Sequence, residues 1–148
     1  MLATEVRALA EGLGEQLRTR VNDGVVEAGF PSPSQDYTTA EIDLTDHLMP
    51  NRASTYLVRA RGHSMTGAGI WDGDELVVDR SIRPQHGHVV IAVLDGELTV
   101  KRLGIGTDGR VVLSSENPAY PDIAVPSLSD LRVWGVVTVA LHHVSRAS

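Results

Sequence analysis

The run Arg61-Gly62-His63-Ser64-Met65 lies between two apolar stretches, Thr55 to Ala60 and Glu75 to Asp79. A serine framed by small residues on such a tight connection can offer its hydroxyl and the adjoining backbone amides to a substrate, which makes Ser64 a candidate nucleophile. The same composition suits a plain turn, so the chemistry depends on whether a base is at hand. Six histidines are available. His63 adjoins Ser64, but on extended backbone neighbours point to opposite sides. The Gly-x-Ser-x-Gly elbow of triad hydrolases is incomplete, because Thr66 stands where its second glycine belongs. Lysine is the other base open to a serine, provided it is neutral. An ordinary lysine pKa near 10.4 leaves about one molecule in two thousand neutral at pH 7, and burial among apolar neighbours lowers that pKa. Lys101 and Arg102 are adjacent, and a guanidinium does not deprotonate in proteins, so only Lys101 of the two qualifies.

The element that carries Lys101 is readable. His88 to Leu94 and Glu97 to Leu103 flank Asp95-Gly96, the strongest local signal for a two-residue hairpin, since both central residues of a type I′ turn need positive φ. Counting outward from that turn sets Leu94 opposite Glu97, Ala92 opposite Thr99 and Val90 opposite Lys101. Lys101 then shares a face with Val90, Ala92, Thr99 and Leu103, where it is either partly desolvated or snorkels its stem to water.

Further strands are expected at Thr55 to Ala60, Glu75 to Asp79, Arg110 to Ser114, Ile123 to Val125 and Leu131 to Leu141, each bounded by Gly, Pro, Asp or Asn. About seven strands with no βαβ alternation point to a mostly β fold, a Greek-key or partly open barrel. Ahead of it, Leu2, Val6, Leu9, Leu13 and Leu17 fall at helical spacing and predict a short helix over residues 1–21, weakened by Gly12 and Gly14. Pro31 and Pro33 then impose an extended, exposed path. The first thirty-odd residues read as an arm on a flexible strap, off the core.

Composition narrows the function classes. The 148 residues, 42% hydrophobic and 22% charged, suit one globular domain with a short appendage. A net charge of −6 gives no electrostatic pull towards nucleic acid, so direct sequence-specific DNA binding is disfavoured. Cysteine is absent, which removes disulfides, Cys-zinc sites and thiol catalysis. His86 with His88, and His142 with His143, lack a third ligand at a readable spacing, so no metal is expected. No run reaches the roughly 18 apolar residues of a membrane span, and the N-terminus is unlike a signal peptide; a cytoplasmic location without membrane contact is expected.

Taken together, Gly62-His63-Ser64-Met65 with Gly69-Ile70 and Asp72-Gly73-Asp74, Leu76-Val77-Val78-Asp79, the hairpin Asp95 to Leu103, and Glu116-Asn117-Pro118-Ala119-Tyr120 resemble the self-cleaving serine peptidases of the LexA/UmuD family. The likeness runs from about Ala28 to Val144. Ala28-Gly29-Phe30-Pro31-Ser32-Pro33 and the short arm are similar to the UmuD branch. The resemblance implies Ser64 as nucleophile, Lys101 as general base and Ala28-Gly29 as the scissile bond, with backbone amides of His63, Ser64 and Met65 as candidates for the oxyanion site. It implies an arm over residues 1–28 removed by self-cleavage, a strap over 29–45, and a peptidase-fold domain over 46–148, with no cofactor. It further implies a homodimer in a bacterial SOS response, cleavage prompted by RecA on single-stranded DNA, and a truncated product that joins a Y-family, UmuC-like polymerase in mutagenic translesion synthesis. Three other readings compete. A dimeric polymerase-binding module that does not cleave would not need Ser64, Lys101 and Ala28-Gly29 intact; a LexA-like repressor fragment would need a helix-turn-helix; and a signal peptidase would need a membrane anchor.

Overall fold

The computed structural model describes residues 1–8, 18–22, 28 and 39–145. Its strands are β1 (Leu2–Ala8), β2 (Arg18–Asn22), β3 (Thr39–Asp43), β4 (Thr55–Arg61), β5 (Glu75–Asp79), β6 (Val89–Leu94), β7 (Glu97–Ile105), β8 (Val111–Ser114), β9 (Ile123–Val125) and β10 (Val133–Leu141), with one short α-helix, α1 (Leu44–Leu48), before β4 and three single 3-10 turns among the described residues. The main sheet runs β1-β4-β5-β10-β6-β7-β8-β9, and β1 also pairs with β7. That extra pairing closes the six strands β1, β4, β5, β10, β6 and β7 into an antiparallel barrel, from which β8 and β9 continue beyond β7. A separate two-stranded sheet joins β2 to β3. The mostly β, barrel-like class expected of the sequence is the one observed.

Alternation along the strands sorts the side chains into two cores. One holds Met1, Val58, Ala60, Met65, Ile70, Leu76, Val78, Ile91 and Val100. The other, on the opposite face of β6 and β7, holds Val90, Ala92, Leu103, Val111, Leu113 and Val136. Each fully buried Leu or Val contributes roughly 1.5–3 kcal/mol against exposure. The β6–β7 hairpin has the counted register, with Leu94 opposite Glu97, Ala92 opposite Thr99 and Val90 opposite Lys101. Asp95 takes φ 50° and Gly96 φ 79°, as a type I′ turn requires.

The N-terminal helix is corrected. Leu2–Ala8 and Arg18–Asn22 are strands, while residues 9–17 lie outside the described residues. An isolated helix of this length with two glycines is marginal in water. Between β4 and β7, by contrast, two strand edges present main-chain N–H and C=O groups that need partners, and β1 supplies them. The first residue is also not off the core: Met1 is buried in the barrel cluster. Helix α1 is a second element not expected from the sequence. It is capped by Asp43, whose carboxylate accepts from the Thr45 amide at 2.9 Å.

Candidate active site

Ser64 sits where β4 leaves the barrel. Gly62 turns the chain at φ 101°, a conformation that disfavours any side chain, and its amide donates to Asp72 Oδ1 at 2.8 Å. Met65, fully buried, anchors the other side, and its carbonyl accepts from the amides of Ala68 and Ile70 at 3.0 and 3.2 Å. Held between these two points, Ser64 is fully buried while His63 is exposed; the two side chains part as expected, but on a bend and turn and not on extended backbone.

Lys101 reaches the same region from β7. It is 7% exposed, so its stem does not snorkel to solvent; Nζ instead donates to Ser115 Oγ at 2.6 Å. Burial lowers the pKa of this ammonium below the ordinary lysine value, and the Asp122 carboxylate pulls it partly back up. Arg102, one residue on, faces the other way and pairs with Glu116 at 2.8 Å.

The segment after β8 ties the two together. Glu116 O accepts from the Gly67 amide at 2.7 Å, and Asn117 Nδ2 donates to the His63 carbonyl at 2.9 Å. Gly67 is required there, since a Cβ would lie 2.6 Å from Glu116 O. Beside this clamp opens a cleft of about 600 Å³ lined by Gly67, Ser115, Glu116, Asn117, Tyr120 and Asp122.

Ser64, through a hydrogen bond, and Lys101, through its charge, both act on one group, the α-amino group of Met1. It donates to Ser64 Oγ at 2.5 Å, and its pKa is lowered by burial and by the nearby Lys101 charge. The Met1 carbonyl accepts from the Val100 amide and from Thr99 Oγ1, both at 2.9 Å. The slot between β4 and β7 thus receives an extended chain through main-chain bonds on both sides and delivers its first residue to Ser64. Ala28 is described only as an exposed bend, and Gly29 lies outside the described residues.

Four of the six histidines have other partners. His86 Nδ1 accepts from the Ile105 amide, His88 Nδ1 accepts from the Gln85 amide, and His142 and His143 contact Asp74 and Glu75. Among the described residues no three His, Cys, Asp or Glu side chains gather as metal ligands. No helix among them is long and apolar enough to cross a membrane. Sequence reasoning missed Ser115 and Met1. Counting the β7–β8 pairing one step past Arg102–Ser114 would have set Ser115 beside Lys101, whereas nothing local marks Met1.

Comparison with known proteins agrees with this architecture. The family model described as Peptidase S24-like matches residues 21–138. Protein SamA of Salmonella typhimurium is 45% identical over 115 residues, covering 78% of this chain and 79% of its own. Protein MucA of Escherichia coli is 40% identical over 117 residues, with 78% and 79% covered. The LexA repressor of Bordetella parapertussis is 36% identical over 113 residues, which are 76% of this chain and 51% of that one. The resemblance drawn from the blocks around Ser64, Lys101 and Asn117 is therefore borne out, and the chain belongs to the Peptidase S24-like family.

Proposed function

We propose that the protein is a self-cleaving serine peptidase in which Ser64 is the nucleophile, Lys101 the general base, and the Ala28–Gly29 peptide bond the target. The observation that carries this reading is that a buried serine and a desolvated lysine both act on one amine, at the head of a slot that takes an extended chain. In the first half-reaction neutral Lys101 takes the Ser64 proton as Oγ attacks the Ala28 carbonyl carbon. Backbone amides of His63, Ser64 or Met65 stabilise the oxyanion. Collapse breaks the bond to Gly29, whose nitrogen receives the proton from Lys101. Water, activated by the again neutral lysine, then releases the Ala28 carboxylate from Ser64.

The Met1 amine donates to the Ser64 oxygen that must attack, so Met1 must withdraw before the Ala28–Gly29 segment enters. A tethered segment needs only weak, transient docking for a single turnover. RecA on single-stranded DNA shifts that equilibrium, and the product beginning at Gly29, with its strap over 29–45 and domain over 46–148, acts as a cytoplasmic homodimer with a Y-family, UmuC-like polymerase in SOS mutagenesis. Family membership and the relatives SamA, MucA and LexA repressor support this wider role.

A dimeric module that does not cleave is the second reading, and the capping of Ser64 by Met1 favours it. Intact mass of the full chain at neutral pH, at pH about 9–10, and at neutral pH with RecA, ATP and single-stranded DNA separates the two. A fragment beginning at Gly29, absent in Ser64→Ala and Lys101→Ala, is the expected result. An intact chain under every condition would leave the module.

A further inference from the structure

We propose that Ser115 is a positioning residue that aims the Lys101 amine at Ser64, an inference that rests on the Ser64/Lys101 reading. Neutral lysine has one lone pair and two N–H bonds, and only the lone pair can take the Ser64 proton. In a buried setting an N–H without a partner is costly, so whatever accepts it also sets the rotation of the amine. Lys101 Nζ donates to Ser115 Oγ at 2.6 Å, which leaves the lone pair free to face elsewhere. A lysine side chain carries about 2 kcal/mol of rotamer entropy, and a fixed acceptor removes much of that freedom before the reaction.

The type of acceptor matters. A carboxylate bonded to Nζ would hold the lysine as an ammonium; a neutral hydroxyl positions the amine with a far smaller preference for the charged form. Asp122, ahead of β9, favours the Lys101 ammonium, and the Met1 amine, just ahead of β1, has its own pKa lowered by the Lys101 charge. Neither supplies the hydrogen bond. Ser115 is also well held. The next two residues bond to either side of Ser64, Glu116 O to the Gly67 amide and Asn117 Nδ2 to the His63 carbonyl, so one short run fixes the lysine's acceptor relative to the nucleophile's loop.

The test is the pH profile of unassisted self-cleavage in full-length wild type, Ser115→Ala and Ser115→Thr, with thermal melts alongside. The alkaline plateau, where Lys101 is neutral in every variant, is expected to fall roughly tenfold to a hundredfold in Ser115→Ala and to return in Ser115→Thr. In a Ser64→Ala background, NMR titration of the Lys101 side chain should move to lower pH on Ser115→Ala, since an acceptor that favours the ammonium has gone. A lysine that is neutral more often yet cleaves more slowly marks a loss of aim. An unchanged plateau, a rate restored by pH alone, or a plateau that falls only in step with the melting temperature would overturn the inference. Wild type that stays intact, or cleaves despite Ser64→Ala, would instead overturn the peptidase reading, and this inference with it.

Discussion

At the scale of single residues, two positions near Ser64 separate packing from chemistry. Gly67 lets the Glu116 carbonyl approach closely, and the atom its missing Cβ would meet is backbone that cannot rotate away. Gly67→Ala is expected to destabilise the protein by about 1–3 kcal/mol, measured by denaturant unfolding. Lys101 works in the other direction. Its folded-state pKa lies below the ordinary value because burial penalises the ammonium. The cost to stability is full below the folded pKa and is relieved as pH rises through it towards the unfolded value. Lys101→Met keeps the volume and removes the charge, so at pH 7 it should raise the melting temperature while abolishing self-cleavage, with roughly 2–4 °C for each kcal/mol recovered.

Between residues and fold, Asp79 at the end of β5 ties several elements together. Its carboxylate accepts from Asn51 Nδ2 at 2.8 Å, from Ser54 Oγ at 2.9 Å, and from the Ser81 amide and hydroxyl at 2.8 and 2.6 Å. Burial alone would raise its pKa, but these donors overcome that and hold it below the ordinary value. Stability from Asp79 is therefore present above the unfolded carboxylate pKa and is lost as pH falls through the folded one. Asp79→Ala is expected to cost on the order of 3 kcal/mol at pH 7. In urea titrations that gap should start to shrink below about pH 4, where the unfolded carboxylate protonates, and close as pH falls through the lower folded pKa. A gap independent of pH would mean that shape, and not charge, is what the site needs.

For the whole molecule, the barrel is closed by a strand drawn from its far N-terminus. Apart from Met1, both buried clusters are built from residues between Val58 and Val136. A chain beginning at Gly29 should therefore unfold cooperatively, with a loss near the roughly 1.5–3 kcal/mol of one buried methionine plus that of the two missing strands, β1 and β2. Its weakened point should be the open slot. The Val100 amide, which donates to the Met1 carbonyl, is expected to exchange on the order of a hundredfold faster than in the full chain. Unchanged exchange would mean that another segment has taken the place of β1.

Local order determined most of what was legible. Asp95-Gly96 encodes its own turn and period-2 alternation encodes its faces, so the neighbours of Lys101 followed from counting along one hairpin. The seven strands from Thr55 onward were visible for the same reason. Contacts between distant segments were not. Ser115 meets Lys101 through a register that the long turn between β7 and β8 had to set, and Met1 meets Ser64 across 63 positions of sequence. The N-terminal segment carries the spacing of a helix, yet Leu2–Ala8 is a strand, because unpaired main-chain groups on β4 and β7 outweigh a propensity worth only fractions of a kcal/mol per residue. That choice was open to the tertiary structure alone, since the edges that decide it exist only once β4 and β7 have been brought side by side.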